Sequence, residues 1–330
     1  MQANSRLWNG GCWLLHRGFI GAYLLWLVGV VCGDRFLVTQ WLSWIPPAVV
    51  VAFACVGIAM ASWARRQHWQ RMAFVHVLFG ALAFMNVQRD LWHPFGHLRP
   101  LPEAAVGILQ WNTNWPSGDD DRSLAALAKV PADIVLISNR GSITSAESTR
   151  VWAGDLAHVY TNGPFAFVTT FPVIESRLVA MGGQGGLRMF VACYSVLIPQ
   201  WNGKLLRIAM VDLPSRPTLE RRLVAGALRR AMDRGELGPV DVVAGDFNVI
   251  DGSVILSECF PMFHDASTEA GIGWLATWPR KFPLWKIDHV MLSPGFEAVA
   301  TGTIDPGVSD HHMTWAIIQP REAVETDDSN

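Results

Sequence analysis

Residues 41–64 run through twenty-four positions without a charge. At the ~1.5 Å rise of an α-helix this exceeds the roughly 30 Å hydrocarbon core of a bilayer, so the segment reads as a membrane span. Pro46 and Pro47 fall in its first turns, where a missing amide donor costs least. Trp41, Trp44 and Trp63 stand where interfacial aromatics belong. Two further apolar runs flank it. Residues 72–88 are uncharged but contain His76 and Asn86, and residues 18–33 become long enough to span if the helix starts near Gly11 with His16 and Arg17 reaching toward the headgroups. The pattern predicts three transmembrane helices, at about 11–33, 41–64 and 72–88, making residues 1–90 a membrane anchor. Buried helices of a soluble domain are the alternative, but so charge-free a stretch leaves them no polar face to show to water. A cleaved signal peptide fits less well, because no small-residue cleavage site follows the first run and two more runs come after it.

Arg65, Arg66 and Arg71 crowd the connection between the second and third spans, which places that loop in the cytoplasm. Three crossings then carry everything after Asp90 to the periplasm or cell exterior. The expected location is an integral protein of a bacterial inner membrane, with the bilayer as one partner.

Beyond residue 90 the pattern changes. Pro94, Gly96, Pro100 and Pro102 interrupt residues 91–105, which read as a linker. Short β-branched runs follow at 106–112, 133–137, 165–170, 189–196, 206–211, 240–244, 287–292 and 314–318, and these predict strands. Residues 124–130 have helical spacing, as do 218–234, where Leu219, Leu223, Ala227 and Leu228 share a face. Many strands with two or three helices predict a layered α/β sandwich over residues 106–320, with a disordered acidic tail at 321–330.

Composition adds limits. Apolar residues make up 51% and charged residues 16%, and a net charge of -2 argues against nucleic-acid binding driven by bulk electrostatics. Cys12, Cys32 and Cys55 lie in the apolar region, leaving Cys193 and Cys259 in the polar part, with no disulfide framework or zinc spacing.

The chemistry concentrates at strand ends. Val242-Val243-Ala244-Gly245-Asp246-Phe247-Asn248 is an apolar strand closing on a glycine, an acid and an amide. An aspartate at such a rim can orient or deprotonate water, and an asparagine can donate to a phosphoryl oxygen; the run can also be a plain turn. Ile287-Asp288-His289-Val290 sets an acid in an apolar strand, and Ser309-Asp310-His311 follows the Pro306-Gly307 turn. A buried Asp fixes an imidazole's tautomer and raises its pKa, while a second Asp can hold a divalent cation.

With these runs and Gln110-Trp111-Asn112-Thr113-Asn114, about 210 residues of the chain resemble the endonuclease/exonuclease/phosphatase (DNase I-like) superfamily. The resemblance implies a four-layered α/β sandwich and magnesium- or manganese-dependent attack of water on a phosphate ester. It implies that Asn112 opens the active site with Asn114 in the next polar slot, and that Asp246 positions the nucleophilic water. By the same resemblance Asn248 contacts the phosphate, Asp310 is a metal-linked carboxylate, and His311, paired with Asp288, stabilises the transition state. Two positions depart from the family pattern. Asn139 stands where the principal metal-binding glutamate belongs, and Asp212 where a phosphate-binding histidine is usual. An amide brings no charge to a hard cation. Either Asp212 supplies that charge, giving a metal site of Asp310, Asn139 and Asp212, or catalysis is lost.

Arg216, directly after the Asp212 strand, is a candidate phosphate contact, whereas Arg221, Arg222, Arg229 and Arg230 at helical spacing predict a solvated face. Trp274, Trp278 and Trp285 can line a cleft or face the bilayer, with core packing their default. The expected function is a membrane-tethered, divalent-metal-dependent phosphoesterase, acting on a lipid, nucleic acid or small molecule, with the tether favouring a lipid or envelope ester. The alternatives are a binding module for a phospho-ligand or protein and, less well supported, a transport component. No feature points to an obligate protein partner.

Overall fold

The computed structural model describes residues 2–64, 67–96, 100–116, 120–143, 148, 152–153, 157–182 and 188–321. Arg65, Arg66 and the acidic tail from Glu322 onward lie outside them.

Four helices open the chain: α1 (Gln2–Cys32), α2 (Leu37–Ser43), α3 (Pro47–Ala64) and α4 (Gln67–Asp90). Within α1 and α4, the stretches Trp13–Cys32 and Gln70–Asp90 are each long and apolar enough to cross a membrane. The segment expected to be one span at 41–64 is instead divided, since α2 and α3 meet at 59° and pass the same test only as a bent pair. Pro46 and Pro47 cause the break. Each disfavours helical geometry in the residue before it, and Pro47 then serves as the first residue of α3, where its fixed φ suits a helix start.

The long helices pack around Tyr23, Trp26, Val50 and Ala83. Gly57 of α3 lets the His76 ring of α4 approach so closely that a Cβ at Gly57 would overlap it. Tyr23 Oη lies 2.8 Å from His76 Nδ1, and His76 Nε2 lies 3.0 Å from His16 Nδ1, so these buried polar groups satisfy one another.

Among the described residues the rest of the chain contributes fourteen strands. In order they are β1 (Trp92–His93), β2 (Val106–Asn112), β3 (Ile134–Ser138), β4 (His158–Asn162), β5 (Phe165–Thr169), β6 (Val173–Gly182), β7 (Arg188–Ile198), β8 (Lys204–Asp212), β9 (Val242–Asp246), β10 (His264–Asp265), β11 (Gly273–Trp274), β12 (Asp288–Leu292), β13 (Phe296–Ile304) and β14 (Met313–Pro320). They form two six-stranded sheets, ordered β13-β14-β2-β3-β5-β4 and β10-β12-β9-β8-β7-β6. β1, within the stretch read as a linker, pairs with β11.

The sheets face one another across a dry core in which Ile108, Leu136 and Phe167 of one meet Tyr194, Met210 and Ala244 of the other. Helix α5 (Asp120–Leu127) covers the outer face of the first sheet, where Leu124 and Leu127 pack with Trp111 and Ile137. Helix α6 (Arg221–Asp233) covers the second, burying Val224, Leu228 and Ala231 against Val211 and Val243. At ~1.5–3 kcal/mol for each large apolar side chain buried, these faces fix the helices to the sheets. The result is the expected four-layered sandwich of mixed α/β class.

Among the described strands only β2–β3 and β8–β9 pair in parallel, and each pair is joined by a crossover carrying α5 or α6. Parallel neighbours end on the same side. Both units therefore deliver their carboxyl ends to one edge of the sandwich, with Asn112 in register with Ser138 and Asp212 with Asp246.

Candidate active site

Asp246 also pairs in register with Asp288 on antiparallel β12. Asp212, Asp246 and Asp288 thus form a row of three carboxylates across adjacent strands, projecting from one face of the sheet. Gly245 makes this approach possible. Its φ is 143°, and a Cβ there would collide with the Val211 carbonyl oxygen of β8.

The first sheet supplies amides to this row. Asn112 Nδ2 donates to Asp246 Oδ2 at 2.9 Å, while Asn112 Oδ1 accepts from the Asn114 amide at 3.0 Å and from Asn139 Nδ2 at 3.1 Å. The other Asp246 oxygen accepts from the Asn248 backbone N–H at 2.8 Å. Asn248 gives one side-chain amide hydrogen to the Leu213 carbonyl at 2.7 Å, which leaves it one further donor. Asn114, Trp115, Asn139, Asn248 and Ser309 all have positive φ, between 49° and 65°. Only Asn202, among the described non-glycine residues, shares that feature away from the site. Strain of this kind persists where surrounding contacts over-determine it, and here it gathers at the cleft.

His311 is the positive member. Its Nδ1 bonds Asp288 Oδ2 at 2.8 Å, and its Nε2 points to Asp246 Oδ2 at 3.7 Å and Asp310 Oδ1 at 3.9 Å. Burial alone would favour the neutral ring, but the Asp288, Asp246 and Asp310 carboxylates outweigh it and push the imidazole up to about 10. Asp288 takes a further hydrogen bond from Gln110 Nε2 at 3.2 Å, and its own pKa falls, since His311 overcomes the desolvation that would raise it. Asp246 moves the other way, with burial and the neighbouring Asp288 and Asp212 raising it well above the usual carboxylate range. Asp212 is raised to about 6 by burial and by Asp288, although a hydrogen bond from Asn139 opposes the shift.

The structure therefore brings Asn112, Asn139, Asp212, Asp246, Asn248, Asp288, Asp310 and His311 to one edge, with Asn114 exposed on the rim. All of these but Asp288 border a cleft of about 810 Å³. Arg216 is exposed and lines no part of it. Arg221 does, contrary to the solvated face its spacing suggests. It is 2% exposed, and its guanidinium donates to the carbonyls of Pro214, Ser215 and Arg216. Trp278 and Trp285 line the cleft, and Trp278 Nε1 holds Asp310 Oδ2 at 3.3 Å, whereas Trp274 sits in β11 against Trp92.

The sequence reading missed Gln110, whose partner lies 178 positions away and leaves no local signal. It also missed that Gln40, Trp41 and Trp44 form part of the cleft wall. Gln40 Nε2 donates to the carbonyls of Pro217 and Leu219, and its Oε1 accepts from the Arg221 backbone N–H at 2.9 Å. The Trp44 carbonyl accepts from Trp285 Nε1 at 2.9 Å.

Four carboxylates, Asp212, Asp246, Asp288 and Asp310, meet one imidazolium, and Asp310 Oδ1 is buried without a hydrogen-bond partner. A donor set with that excess of hard oxygen ligands fits a divalent cation. Asp246, Asp288 and His311 also lie close enough to share an ion, but Asp288 is already committed to His311 and Gln110. A second such group, Asp251, Asp265 and His289, is filled by the Lys286 ammonium, 2.6 Å from Asp265 and 3.6 Å from Asp251.

A model of the Endonuclease/Exonuclease/phosphatase family matches residues 109–311. No curated protein matches the chain significantly. Several solved structures share the fold. An endonuclease/exonuclease/phosphatase family protein from Bacteroides thetaiotaomicron aligns with a TM-score of 0.56 at 15% identity, over 66% of this chain and 99% of its own. A mannosyl-6-phosphatase from the same organism gives 0.54 at 14% identity, over 65% and 99%. The human Nocturnin catalytic domain with bound sulfate anion gives 0.54 at 14% identity, over 69% and 97%. With the family match spanning the strand ends that carry Asn112, Asp212, Asp246 and His311, this chain belongs to the endonuclease/exonuclease/phosphatase family.

Proposed function

We propose that the protein is a membrane-anchored phosphoesterase that hydrolyses its substrate with water in the presence of a divalent cation. The observation carrying this reading is Asp246 held by both oxygens, through Asn112 and the Asn248 amide, beside a cationic His311. A carboxylate whose pKa is raised is a better proton acceptor, so Asp246 orients and deprotonates the attacking water. His311, kept protonated by Asp288, donates from Nε2 to a phosphoryl oxygen as charge accumulates there. Asn248 presents its second amide hydrogen, and Asn114 borders the phosphate from the rim. Asp310, Asp212 and Asn139 would hold Mg²⁺ or Mn²⁺, which when bound offsets phosphate charge against this acidic floor. The test is hydrolysis of a generic phosphodiester and monoester by the full chain in detergent with Mg²⁺ or Mn²⁺, abolished by chelation. Background turnover under all these conditions would leave a phospho-ligand binding module, the reading that Asn139 in place of a glutamate favours.

Asn139 and Asp212 are hydrogen-bonded across the two sheets, which supports the idea that the charge absent at 139 comes from the end of β8 in the facing sheet. Asp212→Ala is expected to weaken divalent-ion affinity on the order of tenfold or more, read by calorimetry. Unchanged affinity would remove Asp212 from the metal site.

Residues 1–90 act as the anchor in this reading. The α1–α3 connection and the chain after α4 both contact the sandwich, through Asp34–Ser253 and the Leu91–Leu275 backbone pair, which supports α3 and α4 crossing as a pair. Arg71, beyond the far end of α3, then marks the cytoplasmic side. A reporter active only outside the cytoplasm, fused after Pro320, is expected to be active. Activity of a cytoplasmic reporter at that position would reverse the orientation.

A further inference from the structure

The cleft has two chemically different parts. Its floor is the carboxylate, amide and imidazole set just described, and its wall toward the anchor is apolar, with Trp41 and Trp44 of the α2 region facing Trp285 and Leu213. That wall is built from the half of a bent membrane segment that lies against the domain. α2 is too short and too sharply turned from α3 to cross a bilayer by itself. Its contacts with Pro217, Leu219 and Arg221 place it where the end of α3 meets the sandwich. Away from these contacts the segment exposes apolar side chains, Phe36 at 64% and Val38 at 74%, as does Val31 at the end of α1 at 67%. A helix with one side docked on a domain and the other bare and apolar suits the headgroup–acyl boundary of a bilayer. Trp41, 54% exposed although it lines the cleft, stands where those two environments meet.

The geometry points to a membrane lipid as the substrate, whose phosphate ester reaches the Asp246–His311 floor from the bilayer surface past Trp41 and Trp44 while its acyl chains stay in the membrane. This rests on the phosphoesterase reading and narrows it. A phosphate reaching the floor from that side needs no extraction of the lipid, because the cleft wall is itself the interfacial element. In the reaction the oxygen of water bonds to phosphorus, one phosphorus–oxygen ester bond breaks, and the leaving oxygen takes up a proton. The products are an alcohol and a phosphate with one ester fewer. A free water-soluble ester presents the same phosphate chemistry but has no use for the Trp41 wall or the bare face of α2.

The experiment compares the full chain reconstituted into vesicles of phosphatidylethanolamine, phosphatidylglycerol and phosphatidic acid with the same protein given their dibutyryl, water-soluble counterparts and a nitrophenyl phosphate ester. Phe36→Asp/Val38→Asp alters only exposed side chains at the start of α2, touching neither the cleft nor the hydrogen bonds of α2 to the domain. Wild type is expected to cleave at least one bilayer lipid faster than its dibutyryl form. The double variant is expected to lose at least tenfold of the bilayer activity while its nitrophenyl ester turnover stays within twofold. A wild type that cleaves soluble esters but no bilayer lipid, or a double variant as active on bilayers as wild type, overturns the lipid assignment and leaves the phosphoesterase reading standing. No turnover of any ester ends both. Trp41→Ala provides a separate reading, raising KM for the bilayer lipid more than for the nitrophenyl ester; equal changes in both would count against a lipid-contacting wall.

Discussion

Asp246→Asn is expected to lower phosphoester turnover by about a thousandfold, as loss of a positioned general base does, without lowering the thermal midpoint of unfolding. The two halves of this result come from opposite properties of the same carboxylate. Its oxygens accept from Asn112 at 2.9 Å and from the Asn248 amide at 2.8 Å, which fixes the direction in which it can take a proton. It is also buried in register between Asp212 and Asp288, so that desolvation and two like charges disfavour its ionised form. An amide of the same shape cannot accept the water's proton. It forfeits part of the hydrogen bonding, yet removes one of the crowded charges, and these effects oppose each other in stability. Sites shaped for function commonly carry such a cost. Turnover within tenfold of wild type would exclude Asp246 as the base. Loss of activity together with a collapse of the thermal midpoint would make its role structural.

How far such a site can be read before folding depends on where its partners lie. Gly245-Asp246-Phe247-Asn248 was legible because one short run carries the strand, the close approach and the polar rim together. The sandwich was legible because apolar runs mark its central strands, although the edge strands β4 and β6, half exposed and mixed in polarity, left no such trace. Asp288 and His289 show the limit. Alternation along β12 sends them to opposite faces, so His289 cannot partner its neighbour; it bonds Asp265 at 2.6 Å, on β10. Asp288 instead meets His311. Arg221 was misread because helical periodicity registers side-chain spacing only, while the guanidinium is held by three backbone carbonyls of the preceding loop. The place of α2 was hidden for a different reason. A charge-free run looks uniform to a hydropathy count, and only the Pro46-Pro47 break and the polar Thr39, Gln40 and Ser43 distinguish the part that turns away from α3.

The second large effect is expected at a residue that does not line the cleft. Lys286→Met should destabilise the fold by about 3–5 kcal/mol, the cost typical of breaking a buried ion pair from one side. Lys286 is 2% exposed, and its ammonium lies 2.6 Å from Asp265, 3.6 Å from Asp251 and 3.3 Å from His289 Nδ1. Against the desolvation imposed by burial, Lys286 and His289 hold the Asp265 carboxyl well below its ordinary range, and Asp251 and Asp265 raise Lys286 above its own. The signs set the pH window. A depressed carboxyl contributes stability that is present above the unfolded value of 3.8 and is lost as pH falls toward its folded value. A raised lysine contributes below the unfolded value of 10.5, and that part is lost only as pH rises through its higher folded value. Wild type should therefore hold both contributions at neutral pH and lose the carboxylate part in acid. In the methionine variant Asp251 and Asp265 are left buried without the ammonium, so protonating them relieves the penalty, and the gap to wild type should narrow as pH falls. Thermal unfolding in detergent across that range checks this, and a gap independent of pH would mean that packing, not charge, carries the effect. The loop supported by this cluster is also where the N-terminal helices dock. Asp34 accepts from Ser253 Oγ at 2.5 Å, and Arg89 and Asp90 at the end of α4 lie against Gly252. Weakening the Lys286 cluster should thus loosen the N-terminal helices on the sandwich before the sheets separate, with residues 250–255 gaining amide hydrogen exchange ahead of β9; simultaneous loss of protection in both would show that the cluster holds the sheets and not the docking loop.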